Sequence, residues 1–511
     1  MASGIEIEIR LVGSGKTLNA LTRARAFARV TVGDATTQHL ETTYWDTPDY
    51  AFRNAGMALR VRTRDGGTPL LSLKTDRAEA LARDETEVPL ETDVPDLEGL
   101  VAAGWSPPRA LRKLHASPQP VFASRVTRRV HPLTFADGTV AELALDRGEL
   151  RTAGAEAMTE RVDEVEIELV QGDPRRILEL AVSLMTEFPA LRLLLASKAE
   201  RAFRLRGGVP AAARRARNIA VNAKEPAGMI AVRAAAEALA QVAANVEGES
   251  RGNDVDHVHQ LRIGIRRWRI AVTLARAAGL PLPSATLRAE IDSVWSLLGS
   301  ARDWDVFEHQ TWPAMHATAV GRDLSGARDQ ALMRERSARH QALRSTLTGQ
   351  RFHQALLVAL WAVENQREFL QNATSVEHAK SLARAVLRKR MKQVRRRGDK
   401  LAELLPDDLH RLRIDAKKLR YAAEFAALPF AKGAVKRFLR RLRNVQSTLG
   451  AMHDLDTAQP LLDPITRAGP TETRGPLHAT WQAYAGARRK RLARRLARDW
   501  KRLDNAKPFW R

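Results

Sequence analysis

An α+β chain of two unlike parts is the fold class this 511-residue sequence predicts: an antiparallel, strand-rich N-terminal half and an all-helical C-terminal half that repeats itself. Three observations carry the prediction. Up to about Leu205, short runs alternate between apolar and polar residues, the period-two mark of strands. From Pro226 onward the chain is rich in Ala, Leu, Arg and Glu at helical spacing, punctuated by GLPLP at 279–283 and LPD at 405–407. Within that helical part, two separate motifs recur at one offset of 151 residues, which points to an internal duplication.

The strands read in order as IEIEIRL, ALRVRTR, LLSLKT, DETEVPLE, VFASRVTRRV, VAELALDRG and VDEVEIELV. Helical patterns interrupt them around Leu18 to Val30 and Pro174 to Glu187. Many of the alternating polar positions are charged, with both signs present. An open antiparallel sheet would turn such a face to water, whereas a closed barrel can turn it into a lumen. The Gly-, Pro- and Ala-rich stretch 206–225 reads as a linker, followed by a helical domain over 226–500 in two repeats, about 226–375 and 376–500.

Charge follows the same division. Residues 1–205 hold 27 Lys and Arg against 30 Asp and Glu, while 206–511 hold 56 against 29, so the formal net charge of +24 belongs to the helical half. Such an excess attracts polyanions. The absence of cysteine excludes disulfides, thiolate nucleophiles and zinc–sulfur sites. MASGIEIEIRLVG lacks the basic start and apolar run of a signal peptide, and no uninterrupted apolar stretch of about 20 residues is present. The expected address is the cytoplasm, with no membrane partner.

In the first half, Glu6, Glu8 and Arg10 alternate and therefore share one strand face, as do Arg60 with Arg62, Glu85 with Glu87, and Glu164, Glu166 and Glu168. Cations grip phosphate oxygens, and carboxylates beside a bound anion call for a hard cation. Any one pair is most simply a solvated face with cross-strand ion pairs; the whole set is less easily explained so. Lys16 in GSGKT lacks the P-loop spacing, since Gly13 stands two residues before Gly15.

The order ExExR at Glu6, Glu8 and Arg10, then TTYWDTPDYAFRNAGMALRVR at 42–62, LSLK ending at Lys74, LALDRGEL at 143–150, VEIEL at 165–169 and SKAERAFRL at 197–205 resembles the CYTH, or triphosphate tunnel metalloenzyme, family. The usual signature is ExExK; arginine keeps the charge and changes the donor geometry. The resemblance implies an antiparallel eight-stranded tunnel over 1–205, a triphosphate inside it, and phosphoanhydride cleavage with Mg²⁺, or with Mn²⁺ in its place. It further implies triphosphate binding by Arg10, Arg60, Arg62, Lys74, Arg125 or Arg128, and Lys198. Metal binding falls to Glu6, Glu8, Asp146, Glu166 and Glu168, with Glu6, Glu8, Arg10 and Lys74 central to catalysis. Arg125 and Arg128 have opposite parity, so without a bulge they face opposite sides.

In the second half, VHQLRIGIRRWR matches LHRLRIDAKKLR, and LGSARDWD at 298–305 matches LGAMHDLD at 449–456. On a helix, His259, Arg262, Arg266 and Arg269 fall within a stripe about 80° wide, and His410, Arg413, Lys417 and Arg420 repeat it. Asp303, Asp305, Asp454 and Asp456 are expected to orient arginines or cap helices. These motifs resemble the CHAD family of conserved-histidine α-helical domains, and the resemblance implies inorganic polyphosphate held by those eight residues in a basic groove. An association with polyphosphate granules would follow. Histidine beside a polyanion gains charge, so affinity should rise on acidification.

Two alternatives stand beside this reading. The tunnel motifs guard a triphosphate without fixing its organic part, which leaves a nucleoside or thiamine triphosphate hydrolase or an adenylate cyclase. A nonenzymatic polyphosphate or RNA binder is the other, although aromatics are only 5% of the chain and no RNA-binding module is recognisable.

Overall fold

Alternation in the first half folds into one antiparallel sheet in the computed structural model. The structure describes residues 2–510 except 77–81, 109–110, 112–116, 154–156, 207–212, 218, 220–224, 252–254, 318–325, 372–378, 428–429 and 431. Described residues cluster into two compact units: Met1–Ala212 with Thr348–Trp361, and Ala213–Leu347 with Ala362–Arg511.

The sheet of the first unit contains β1 (Ala2–Val12), β2 (Val30–Val32), β3 (Thr36–Asp46), β4 (Met57–Arg64), β5 (Leu70–Asp76), β6 (Ala82–Pro89), β7 (Gln119–Phe135), β8 (Val140–Thr152), β9 (Thr159–Gln171) and β10 (Arg192–Leu193). Eight of these pair in the cyclic order β1, β6, β5, β4, β3, β7, β8, β9 and back to β1, while the short β2 and β10 attach to β7 and β1. The expected eight-stranded ring is therefore present, with two accessory strands bringing the sheet to ten. Closure removes the free edges that would otherwise pair with other chains.

Period-two alternation gives the ring two faces. Odd positions such as Ile9, Leu11, Leu59, Val61, Leu71, Leu73, Leu143 and Ile167 are buried outside the ring. Part of that outer layer packs on Leu100 of the helix Leu97–Ala102 and on Phe52. A second helix, Arg175–Glu187, buries Ile177, Leu180, Ala181 and Leu184 from one stripe. The inner face carries the charges, and toward one side it carries Leu40, Tyr44, Phe122, Val126, Leu150 and Val162, packed against Ala199, Ala202 and Phe203 of the helix Lys198–Arg206.

Three helices of the first repeat have counterparts about 151 residues on. Gly228–Arg251 matches Ala379–Gly398, Val255–Ala277 matches Pro406–Ala426, and Ala327–Leu347 matches part of Arg474–Asp504. Between them, Ala285–Ser293 and Trp295–Val306 in the first repeat correspond to the single 37-residue helix Lys432–Ala468 in the second. Local signals explain the boundaries. Ser284 caps Ala285–Ser293 by accepting from the Leu287 N–H, and Pro406 opens its helix with Asp407 and Asp408 in the first turn. A shared core of Trp304, Phe307, Trp312, Met315, Leu455, Leu462, Trp481 and Tyr484 binds the two repeats together. Gly228–Glu249 is long and apolar enough to cross a membrane by length and composition, but 72% of that window is buried inside the protein.

Candidate functional sites

Cross-strand register decides which side chains meet inside the ring. Glu8 lies opposite Glu168 and Arg10 opposite Glu166; Asp146 lies opposite Glu164 and Arg128; Arg60 pairs with Tyr44 and Arg62 with Thr42; Lys74 pairs with Glu85. Directly opposed residues share a face, so Glu6, Glu8, Arg10, Arg60, Arg62, Lys74, Arg128, Asp146, Glu166 and Glu168 all line one inner wall. Arg125 does not. It stands on the outer side, 73% exposed beside Glu41 at 3.4 Å, because its parity on β7 is opposite to that of Arg128. The expectation that Arg125 grips triphosphate is thereby corrected; of the two, Arg128 is the one on the inner wall.

Two ionic clusters occupy this wall. In the first, Lys74 Nζ donates to both Glu6 oxygens at 2.7 and 2.6 Å and lies 3.3 Å from Glu85. Arg60 donates to Glu85 at 2.8 Å, and Glu87 accepts from the Ser72 hydroxyl at 2.6 Å. In the second, Arg128 clasps Asp146 with two hydrogen bonds of 2.7 Å and also reaches Glu166. Lys198 Nζ lies 2.9 Å from Asp146, 2.9 Å from Glu164 and 2.7 Å from Glu166. Arg10 lies between the clusters, 3.3 Å from Glu8 and donating to the Leu195 carbonyl at 2.9 Å.

Electrostatics distinguish the two. Burial alone would lower Lys198 and Arg128 and raise Glu166; mutual attraction reverses each, lifting both cations and holding Glu166 well below the ordinary carboxylate range. Glu168 makes no ion pair among the described residues. Burial first, then the Glu6 carboxylate, pushes it up to about 7. Arg62 is its cationic counterpart: its Nε donates to Thr42 Oγ1 at 3.1 Å, it has no ion pair among the described residues, and burial and Arg60 push it down to about 10. The wall thus offers an uncompensated cation to an anion and an uncompensated carboxylate to a cation.

A divalent metal is part of what the fold implies, and the donor chemistry fits it. Oxygens of Asp146, Glu164 and Glu166 come within 4.8 Å of one another, and an all-carboxylate set suits a hard cation. At present the Lys198 ammonium lies among those oxygens. Glu164, fully buried, belongs to this group although the sequence reading left it out of the metal set; its period-two series with Glu166 and Glu168 was the available signal. Arg201 was missed altogether. It reaches Glu160 at 2.8 Å and Glu164, and its i,i+3 spacing from Lys198 would have placed both on one helix face.

In the second unit the two motif helices bring their cations together. Arg262 donates to the Gly299 carbonyl at 3.1 Å and lies 3.7 Å from Asp303, while Arg266 donates to the Tyr421 hydroxyl of the other repeat at 3.2 Å. Arg269 pairs with Asp292 at 2.8 Å, and Arg420 lies 3.7 Å from Glu424. His410 and His453 stand 3.2 Å apart through their Nδ1 atoms. Burial, then Arg302, pushes His259 down to about 4, and burial, then Arg413, lowers His410 below its ordinary value. The motif aspartates do orient arginines: Asp305 accepts from Arg336 and Asp456 from Arg489.

With this geometry in view, comparison with known families assigns both halves. The CYTH domain family matches residues 4–203, and the CHAD domain family matches residues 233–463. The chain is a CYTH domain followed by a CHAD domain. CYTH domains are triphosphate tunnel enzymes. Among solved structures, the CHAD domain from the plant Ricinus communis is 23% identical and shares the helical fold at a TM-score of 0.50, covering 58% of this chain and 98% of its own. A candidate adenylate cyclase from Bacillus halodurans is 16% identical, covering 40% of this chain and 100% of its own at a TM-score of 0.29. A candidate adenylyl cyclase from Hippeastrum, described as having a dominant triphosphatase activity, is 20% identical, covering 40% and 96% at 0.26.

Proposed function

We propose that the CYTH domain hydrolyses inorganic triphosphate with Mg²⁺ and that the CHAD domain binds inorganic polyphosphate. Residues 1–205 form the catalytic part, 226–500 the binding part, and 206–225 the link. The observation that carries the catalytic half is the interleaving of Arg10, Arg60, Arg62, Lys74, Arg128 and Lys198 with Glu6, Glu8, Asp146, Glu166 and Glu168 on one inner wall. Phosphoryl transfer asks mainly for positioning and charge neutralisation. Arg62 and Arg60 grip phosphate oxygens, and Lys74, Arg10, Arg128 and Lys198 complete the cationic lining as phosphate draws them from their carboxylates. Glu6, Glu8, Asp146, Glu166 and Glu168, with Glu164, would hold Mg²⁺, which when bound neutralises phosphate charge. Glu168, pushed up to about 7, would accept the proton of the attacking water.

An aromatic group adjoins Arg60 on the wall. Tyr44 faces it directly and stacks on Phe122 at 4.5 Å, and Phe203 packs edge-on against Phe122 at 5.1 Å. Beside the gripping arginines the wall therefore continues into packed apolar side chains. Phosphate release from inorganic triphosphate, ATP and thiamine triphosphate, each with Mg²⁺ and with EDTA, tests the reading. Inorganic triphosphate should be cleaved fastest, only with metal, and Glu6→Ala or Lys74→Ala should abolish it. Faster cleavage of an organic triphosphate, or activity surviving both substitutions, would overturn it.

Polyphosphate binding rests on His259, Arg262, Arg266, Arg269, His410, Arg413, Lys417 and Arg420; Asp303 and Asp454 offset only part of the charge of Arg262 and Arg413. On this reading the protein works in the cytoplasm beside polyphosphate granules, which co-localisation with stained polyphosphate would test.

A further inference from the structure

The cationic cluster of the CHAD domain is built from two unlike halves. In the first repeat, Arg262, Arg266 and Arg269 surround the Trp295 ring, with guanidinium carbons 5.3, 5.3 and 4.3 Å from its centroid. These groups keep their charge at any physiological pH, and the aromatic ring steadies them. In the second repeat, titratable side chains stand at two equivalent positions. Lys417 occupies the place of Arg266, and His453 that of Arg302.

Geometry restricts the charge those groups can carry. A hydrogen bond between the Nδ1 atoms of His410 and His453 holds a single proton, so the two rings cannot both be imidazolium in this arrangement. Lys417 has no ion pair or hydrogen bond among the described residues. It faces Arg262 and Arg266 from the first repeat helix and Arg413 from its own, with Asp454 of Lys432–Ala468 as an opposing charge. Around the histidines stand Arg262, Arg413 and Lys417, with Asp407 and Asp456 opposing on the His410 side. Burial, then these arginines, pushes Lys417 down to about 5 and His453 to about 3. At neutral pH Lys417 and the histidines therefore rest largely uncharged, while the arginines of both repeats stay charged.

A polyanion changes that balance, since each phosphate charge placed among these groups favours their protonated forms. Resting on the polyphosphate reading above, we propose that anion capture by this domain is proton-coupled: Lys417 and the His410–His453 pair take protons from solvent onto Nζ and the imidazole nitrogens as the polyanion binds. The arginines of both repeats supply a standing attraction, and Lys417 with the histidine pair adds charge only when phosphate is present. Each proton taken up steepens the pH dependence of affinity by about tenfold per pH unit, in the direction of tighter binding on acidification.

Isothermal titration of the full chain with long-chain polyphosphate tests this, with EDTA present so that no metal-dependent cleavage intervenes. The titration is run at neutral pH in two phosphate-free buffers of different ionisation enthalpy. Observed heats should differ in proportion to the buffer enthalpy, corresponding to uptake of about one proton or more. Lys417→Arg, which fixes the charge, and His410→Asn should each bind while taking up fewer protons. Binding with equal heats in both buffers overturns the coupling and leaves the polyphosphate reading standing. Uptake unchanged in both variants also overturns it, because the protons would then go elsewhere. Failure of the wild type to bind polyphosphate overturns the reading itself.

Discussion

Arg62 and Lys198 line the same tunnel but stand in opposite electrostatic situations, and their removal should have opposite consequences. Arg62 pairs with no carboxylate among the described residues, so Arg62→Met strands no charge. We expect KM for triphosphate to rise roughly tenfold or more, as for the loss of about 1.4 kcal/mol or more of charge-assisted binding, with the melting temperature nearly unchanged. Lys198 sits among three carboxylates. Lys198→Met leaves them facing one another with less compensation, and urea unfolding should show a loss on the order of 3 kcal/mol. A melting temperature that falls equally in both variants would refute the distinction.

A second residue-scale expectation concerns His340, buried between Glu249 and Asp305 with both ring nitrogens 2.9 Å from a carboxylate oxygen. Burial works to lower it, but Asp305 and Glu249 prevail and raise it to about 9. A folded value above the unfolded one of about 6.5 means the contribution is fully present below about pH 6.5 and is lost as pH rises toward about 9. Unfolding free energy measured across that window should fall by up to roughly 3 kcal/mol, and His340→Gln, less stable throughout, should show a flatter profile.

At the scale of elements, the tunnel depends on how closely β7 and β8 approach. A Cβ at Gly148 would stand 1.9 Å from the Arg125 carbonyl oxygen, and the clash is with backbone, which cannot rotate away. Gly148→Ala should therefore cost roughly 1–3 kcal/mol and displace Arg128 and Asp146 nearby, lowering kcat more than binding. Trp295 plays a comparable part in the helical domain. Trp295→Ala removes the surface on which three arginines rest, and polyphosphate affinity should fall several-fold, as for the loss of contacts worth about 0.5–1 kcal/mol each, with helicity by circular dichroism unchanged.

Considered whole, the molecule contains a nearly charge-balanced domain and a strongly cationic one, and that contrast separates their behaviour in salt. If the proposed function holds, polyphosphate binding by the CHAD domain should weaken steeply as ionic strength rises, because exposed charges are screened beyond about 8 Å at physiological salt. Triphosphate hydrolysis, governed by groups enclosed in the ring, should respond much less. Titrating both activities of the full chain against sodium chloride checks this.

Much of this organisation was legible in one dimension because its causes are local. Period-two alternation put Glu6, Glu8 and Arg10 on one strand face, helical spacing put His259 and Arg262 on one stripe, and the 151-residue offset declared the duplication. Other features arise only when distant segments meet. Sequence parity stated that Arg125 and Arg128 oppose each other, but pairing with β3 and β8 decided which one looks inward. Likewise, Arg201 with Glu164, Lys198 within the carboxylate triad, and Lys417 among arginines of the other repeat are neighbours only after folding. The sequence by itself determined the two-part fold and the chemical character of each half, because residue types and their periods set them. Only the tertiary structure decided which charges are compensated and which remain open to a ligand, because compensation depends on distance and burial across segments far apart in the chain.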